Sequence, residues 1–390
     1  MTGGAHQVAA LLLLLFVVLA GHRCSALYPA SGVLLLDHLN LNHQKGRHDL
    51  LRSFYFDTLG LVLDPRKQEN ADKGRKTLWA NAGITQFHLP EEESAQVFDG
   101  VVTLSYTEPS PAAFEALKRR LAQPPALLDD THFTWVELSA EQVAVRDPWG
   151  SCFINKHDPS RRDARGSQPG VSLDGVDGGG GIVMSDVTVN LPKGKTGRDV
   201  IGVAKFYEHV FGTPVVGKRG LFDDTYSVSM ATSPQQTLTI MRVDGPQGLL
   251  PDPKRSVQQV LQAAARNKLP PPVPQSHEGL EWSDGGEKIA SNTGPHISLY
   301  IQDFAGAYKR AEALGSNVLF TNTRFKRQAT SLAEAQEQSM FRVLDVVDPS
   351  NPAAGAIFRL EHECRSVLGK DGKTLYKSCP FREVPADLVP

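Results

Sequence analysis

Glu361 closes an apolar run, Ile357-Phe358-Arg359-Leu360, that follows the turn Asp348-Pro349-Ser350-Asn351-Pro352. Aromatic and aliphatic residues of this kind favour a strand. A carboxylate on the buried face of a strand is costly unless it is paired or bound to a metal. His296 and Asp186 supply two more donor types that a divalent ion takes, and each sits in its own apolar stretch, 294–301 and 182–190. One imidazole and two carboxylates make a hard site, suited to Mn, Fe(II) or Mg without excluding Zn. Each residue also has a plainer reading. His296 can be a satisfied core histidine, Asp186 a hydrogen-bonded residue at a strand start, and Glu361 a solvated strand end.

Three further residues are pocket candidates. His38 lies between Leu36 and Leu39, and His88 is polar within the otherwise apolar Phe87-His88-Leu89. Arg324, with Lys326 and Arg327, forms a basic cluster whose ordinary role is a solvated loop and whose sharper role is contact with an anionic substrate. Phosphate cradles are not expected. Gly194-Lys195-Thr196 lacks the glycine five residues earlier that a P-loop needs, because that position is Val189.

The elements that carry these residues repeat. Strand 33–42 precedes an amphipathic helix over 48–59, a hairpin around Asn81-Ala82-Gly83, strand 100–106, a helix over 111–121, and strands ending at Asn155. The order restarts at Ile182, with helix 203–210, a hairpin over 226–243, strand 294–301, helix 304–315 and strands 341–347 and 355–361. Tyr55 precedes Gly60 by the same step as Tyr207 precedes Gly212. This is an internal duplication. Residues 158–181 read as a charged, then Gly-rich linker. Residues 244–293 are an insertion long enough to be a lid or binding loop.

The chain carries 41 basic and 43 acidic residues, and no basic stripe points to nucleic acid. Its N-terminus reads as a signal peptide over residues 1–26. The apolar run Ala9–Ala20 is shorter than the ~20 residues of a membrane span, so no transmembrane segment is expected after leader cleavage. The expected destination is the secretory pathway, with an organelle reached by the same signal as the alternative. In an oxidising compartment Cys364 and Cys379 can close a short loop in the tail, 364–390, worth ~3 kcal/mol.

The repeated βαβββ order, with Asp-Pro turns at Asp147-Pro148 and Asp348-Pro349, resembles the vicinal oxygen chelate superfamily of glyoxalases, fosfomycin-resistance proteins and extradiol dioxygenases. The resemblance spans 33–157 and 182–363. It implies an α+β fold of two tandem glyoxalase-like domains over those ranges, each of two βαβββ modules in a cupped mixed sheet. Family ligands are a His on the first strand, a His on the fifth and a Glu on the eighth. In the second half these positions fall on Asp186, His296 and Glu361. In the first half they fall on His38, Val101 and Lys156, so that half is expected to hold no metal. The resemblance implies a divalent-metal enzyme, a lyase, isomerase or dioxygenase, acting in the C-terminal cup on a small oxygen-chelating substrate with Fe, Mn, Mg or Zn. The alternative is a metal-free small-ligand-binding protein on the same fold.

Overall fold

A computed structural model describes residues 32–161, 181–242, 261 and 295–369, apart from positions 75, 84, 193, 220–224, 234–235, 316 and 322–328. The leader, nearly all of the linker and of the insertion, Arg324 with its basic neighbours, and Cys379 lie outside these residues. No helix among the described residues is long and apolar enough to cross a membrane.

Four βαβββ modules follow one another. The first comprises β1 (Val33–Asn40), a helix from His48, β3 (Val62–Leu63), β4 (Leu78–Ala82) and β5 (Thr85–Leu89). Two short strands, β2 (His43–Gln44) and β6 (Glu91–Glu92), form a separate parallel pair beside it. The second module is β7 (Gly100–Tyr106), helix Ala112–Ala122, β8 (Thr134–Ser139), β9 (Gln142–Arg146) and β10 (Cys152–His157). The third is β11 (Ile182–Leu191), helix Gly197–Phe211, β12 (Val215–Arg219), β13 (Thr225–Ser233) and β14 (Gln236–Arg242). The fourth is β15 (His296–Ile301), helices Phe304–Ala313 and Leu332–Gln338, β16 (Met340–Val347) and β17 (Ala356–Ser366). In this last module an isolated bridge, Leu319 to Val343, stands where the others place a full strand.

The helices show why these sequences fold locally as they do. In Gly197–Phe211 the apolar residues Val200, Val203, Phe206, Tyr207 and Val210 recur at helical spacing and are all buried. Removing Phe206 from water contributes ~2–3 kcal/mol. The Asp199 carboxylate accepts from the Thr196 backbone N–H at 2.6 Å and caps the start. Gly212 ends the helix at φ 67°, a conformation that favours glycine. Gly60 does the same for the first module at φ 79°, so the matched Tyr-to-Gly step marks matched helix ends. That first helix departs from the expected amphipathic α-helix. It is α only over His48–Leu51 and widens to a π-helix over Arg52–Thr58, which buries both Phe54 and Tyr55.

Each sheet unites two modules, as the resemblance implies, but takes one from each half of the chain. The seven-stranded sheet runs β16-β17-β15-β1-β5-β4-β3, and the eight-stranded sheet runs β12-β13-β14-β11-β7-β10-β9-β8. The fourth module therefore completes the first, and the third completes the second. Residues 33–157 and 182–363 do not form separate sheets, which corrects the expected domain division. In both sheets the junction joins two first strands antiparallel, β1 with β15 and β7 with β11. Buried side chains of both sheets and the helices form one continuous core.

Candidate metal centre

The junction of β1 and β15 positions the site. Register slips between Leu36 and His38, so Asp37 is the extra residue of a β-bulge. Gln236 of β14, in the other sheet, satisfies the backbone there. Its Oε1 accepts from the Leu36 N–H at 2.9 Å, and its Nε2 donates to the carbonyls of Leu36 and Met184, each at 3.1 Å. Beyond the bulge His38 is fully enclosed, and its Nδ1 donates to Asp37 Oδ2 at 2.9 Å. That bond leaves the Nε2 lone pair free to coordinate.

His38 Nε2 faces His296 Nε2 at 3.4 Å. This is long for a hydrogen bond between nitrogens. Two nitrogens held tetrahedrally by one ion, each at about 2.0–2.1 Å, stand about 3.3 Å apart. His296 Nδ1 and Ser298 Oγ are buried beside this gap with no hydrogen-bond partner. His88 stacks on His38 at 3.6 Å between ring centres and on Trp79 at 4.4 Å, so the imidazoles rest on an aromatic ladder.

The carboxylates come from β17. His296 pairs in register with Glu361, and Glu363 lies two residues on, on the same face. One donor atom from each of His38, His296 and Glu363 lies within 4.8 Å of the others. Arg342 on β16 ion-pairs with both Glu361 and Glu363. Arg365 donates to Glu363 Oε1 at 2.6 Å and to Asp37 Oδ2 at 3.1 Å. Three carboxylates thus meet two guanidiniums in a buried place.

The electrostatics agree with that division. Burial pushes the Glu363 carboxyl up, but Arg365 and Arg342 outweigh it and hold it well below its ordinary range. Burial, then the Arg342 charge, holds His296 well below its ordinary range. Burial, then His38, does the same to His88. His88 and His296 are therefore neutral at pH 7, as a ligand must be.

Of the expected ligands, the structure brings His296 and Glu361 side by side. It does not bring Asp186 to them. Asp186 lies on β11 in the eight-stranded sheet, where its carboxylate accepts from Thr188 Oγ1 at 3.0 Å and Thr239 Oγ1 at 3.2 Å. The cause is the module exchange: the first-strand partner of His296 comes from the first module, and it is His38. For the same reason the first half of the chain supplies His38 to this junction. Among the described residues, no cluster of three metal-ligating side chains gathers in the eight-stranded sheet. Sequence reasoning missed Asp37, Arg342, Glu363 and Arg365. The alternation Glu361, Glu363, Arg365 was the available signal, since residues two apart share a strand face. Cys364 is buried, and its expected partner lies outside the described residues.

No family model and no curated protein matches the sequence. In structure the chain is similar to a putative dioxygenase from Bacillus subtilis, at 13% identity and TM-score 0.42, covering 92% of this chain and 94% of that one. It is similar to glyoxalase I from Zea mays at 9% identity and TM-score 0.40, covering 85% and 92%. It is also similar to homoprotocatechuate 2,3-dioxygenase from Arthrobacter globiformis at 12% identity and TM-score 0.25, covering 94% and 93%. What decides the fold is the strand order, with two βαβββ modules per sheet joined first strand to first strand. The chain has an α+β fold of four βαβββ modules, two to each sheet. Within that fold the donor set at the β1–β15 junction suits a divalent ion. A carboxylate has about four acceptor positions, so Glu363 can serve both guanidiniums and an ion.

Proposed function

We propose that the protein binds a divalent metal ion between His38, His296 and a β17 carboxylate, Glu363 or Glu361, and acts there on a small substrate that presents a ligating oxygen. The observation that carries this reading is the 3.4 Å approach of two buried Nε2 atoms beside the buried Glu363 carboxylate. The ion would supply Lewis-acid polarisation of the substrate oxygen. The chain's residues do the rest. Asp37 holds the His38 tautomer, Arg342 and Arg365 fix the carboxylates, and the Trp79–His88 stack holds the imidazole plane.

A second reading has its own support. Both oxygens of Glu363 already accept from guanidiniums, which satisfies that carboxylate without an ion. The protein would then be a metal-free binder of small ligands. The two readings separate in elemental analysis after chelator treatment and reloading with Mn, Fe(II) or Zn. H38A/H296A is expected to lose one equivalent relative to wild type, and D186N to lose none. Equal metal content in wild type and H38A/H296A would refute the metal centre.

A further inference from the structure

A second group of ligating side chains lies outside the sheet junction. His43 on β2, His48 at the start of the first helix and Glu91 on β6 bring one donor atom each within 4.8 Å of one another. The strands carry His43 and Glu91 in direct register. His43 is 1% exposed and His48 5% exposed, and their rings meet edge to face at 4.8 Å. Both ring nitrogens of His43 and the Nδ1 of His48 are buried without a partner in good hydrogen-bond geometry, the backbone of Leu89 and Pro90 acting only weakly on His43. Buried polar atoms of this kind ordinarily have partners.

The surroundings prepare these atoms for a cation. His48 Nε2 lies 3.0 Å from the Lys76 carbonyl, which can only accept, so Nε2 carries the proton and Nδ1 presents a lone pair. An outer hydrogen bond of that form is how ligating histidines are oriented. The Lys76 N–H is 3.3 Å from Glu91 Oε2, and the Gly46 N–H donates to Glu91 Oε1 at 2.8 Å. Lys76 takes φ 64°, unusual for a residue with a side chain, and in that conformation both its backbone groups engage the cluster.

We propose that His43, His48 and Glu91 bind a zinc-class divalent ion with water in the fourth position. Two imidazoles and one carboxylate match that ion's preferred donors. Its role here is to fasten structure. β2 and β6 are two residues each, too short to hold a ladder alone, and an ion would tie them to the helix start.

Two tryptophans allow the centres to be followed separately. Trp149 lies 6.4 Å from His43, while Trp79 stacks on His88 beside the first centre. The full chain is stripped with chelator and titrated with Co²⁺, which quenches nearby indoles and shows visible bands when tetrahedral. In W79F, saturable quenching is expected and should fall at least tenfold in apparent affinity in W79F/H48Q and W79F/E91Q. In H38A/H296A, one zinc equivalent should remain and should vanish on adding H48Q. Quenching in W79F that neither H48Q nor E91Q weakens would overturn the proposal, as would the absence of bound metal in H38A/H296A that retains wild-type circular dichroism. Equal metal content in wild type and H38A/H296A, with that metal lost on adding H48Q, would instead strike only the sheet-junction centre.

Discussion

His38 and His296 stand 258 positions apart in the chain, yet their Nε2 atoms come within 3.4 Å. Neither half of the duplication holds the pair alone. The Asp37 carboxylate bound to His38 Nδ1 is what aims the first of these nitrogens. Asp37→Asn is therefore expected to weaken metal affinity at the sheet junction by about 10–100-fold, the usual effect of losing such a partner. Competition against a chromophoric chelator measures it, and an unchanged affinity would remove Asp37 from the site.

Arg342 neutralises two enclosed carboxylates at once. Arg342→Met leaves Glu361 without that partner and Glu363 with Arg365 alone. Breaking one side of a buried pair costs about 3–5 kcal/mol. A loss of that size in denaturant unfolding of the metal-stripped protein is expected. A loss below about 1 kcal/mol would mean that water reaches the network.

Gln236 joins the two sheets by filling the backbone gap that the Asp37 bulge opens. Gln236→Leu keeps the volume and removes every polar contact. Stranding the Leu36 N–H and carbonyl should cost about 1–3 kcal/mol each. The imidazole signal of His38 should also shift by NMR, because the bulge sets its direction. Lost stability with an unmoved His38 signal would confine Gln236 to a purely structural role.

Acid should destabilise the chelator-treated protein through His43. Burial, then the neighbouring His48, lowers its pKa from 6.5 to about 4. As pH falls, the unfolded chain takes the proton near 6.5 and the folded chain only near 4. Stability is whole above the higher value and is lost as pH falls through the lower one, on the order of 3 kcal/mol. Chemical denaturation across this window should show a slope that His43→Gln flattens. An identical slope in the variant would assign the acid sensitivity elsewhere.

Much of the architecture was legible in the sequence because it is local. Periodicity revealed the strands and helices, and Gly60 and Gly212 marked matching helix ends. His296 and Glu361 were legible as candidates because an imidazole and a carboxylate interrupt apolar strands. Asp186 misled because it occupies the corresponding strand of the third module, and nothing in a linear repeat says which first strand will be its neighbour. Pairing among four similar modules is decided by packing across the core, and His38 becomes a candidate ligand only once that pairing is known. Arg342 was hidden for a related reason: a lone arginine in a strand reads as surface until the facing strand proves to carry two acids.

The alliance of the first module with the last has a consequence for biogenesis. β1 leaves the ribosome early, but the strand that covers its flank is made near the end. Until then the nascent protein carries an unfinished hydrogen-bonding edge, a template for mispairing with other chains. Its assembly should be slow and strongly dependent on protective factors. Premature termination anywhere before β15 should yield a sticky fragment rather than a stable half-protein.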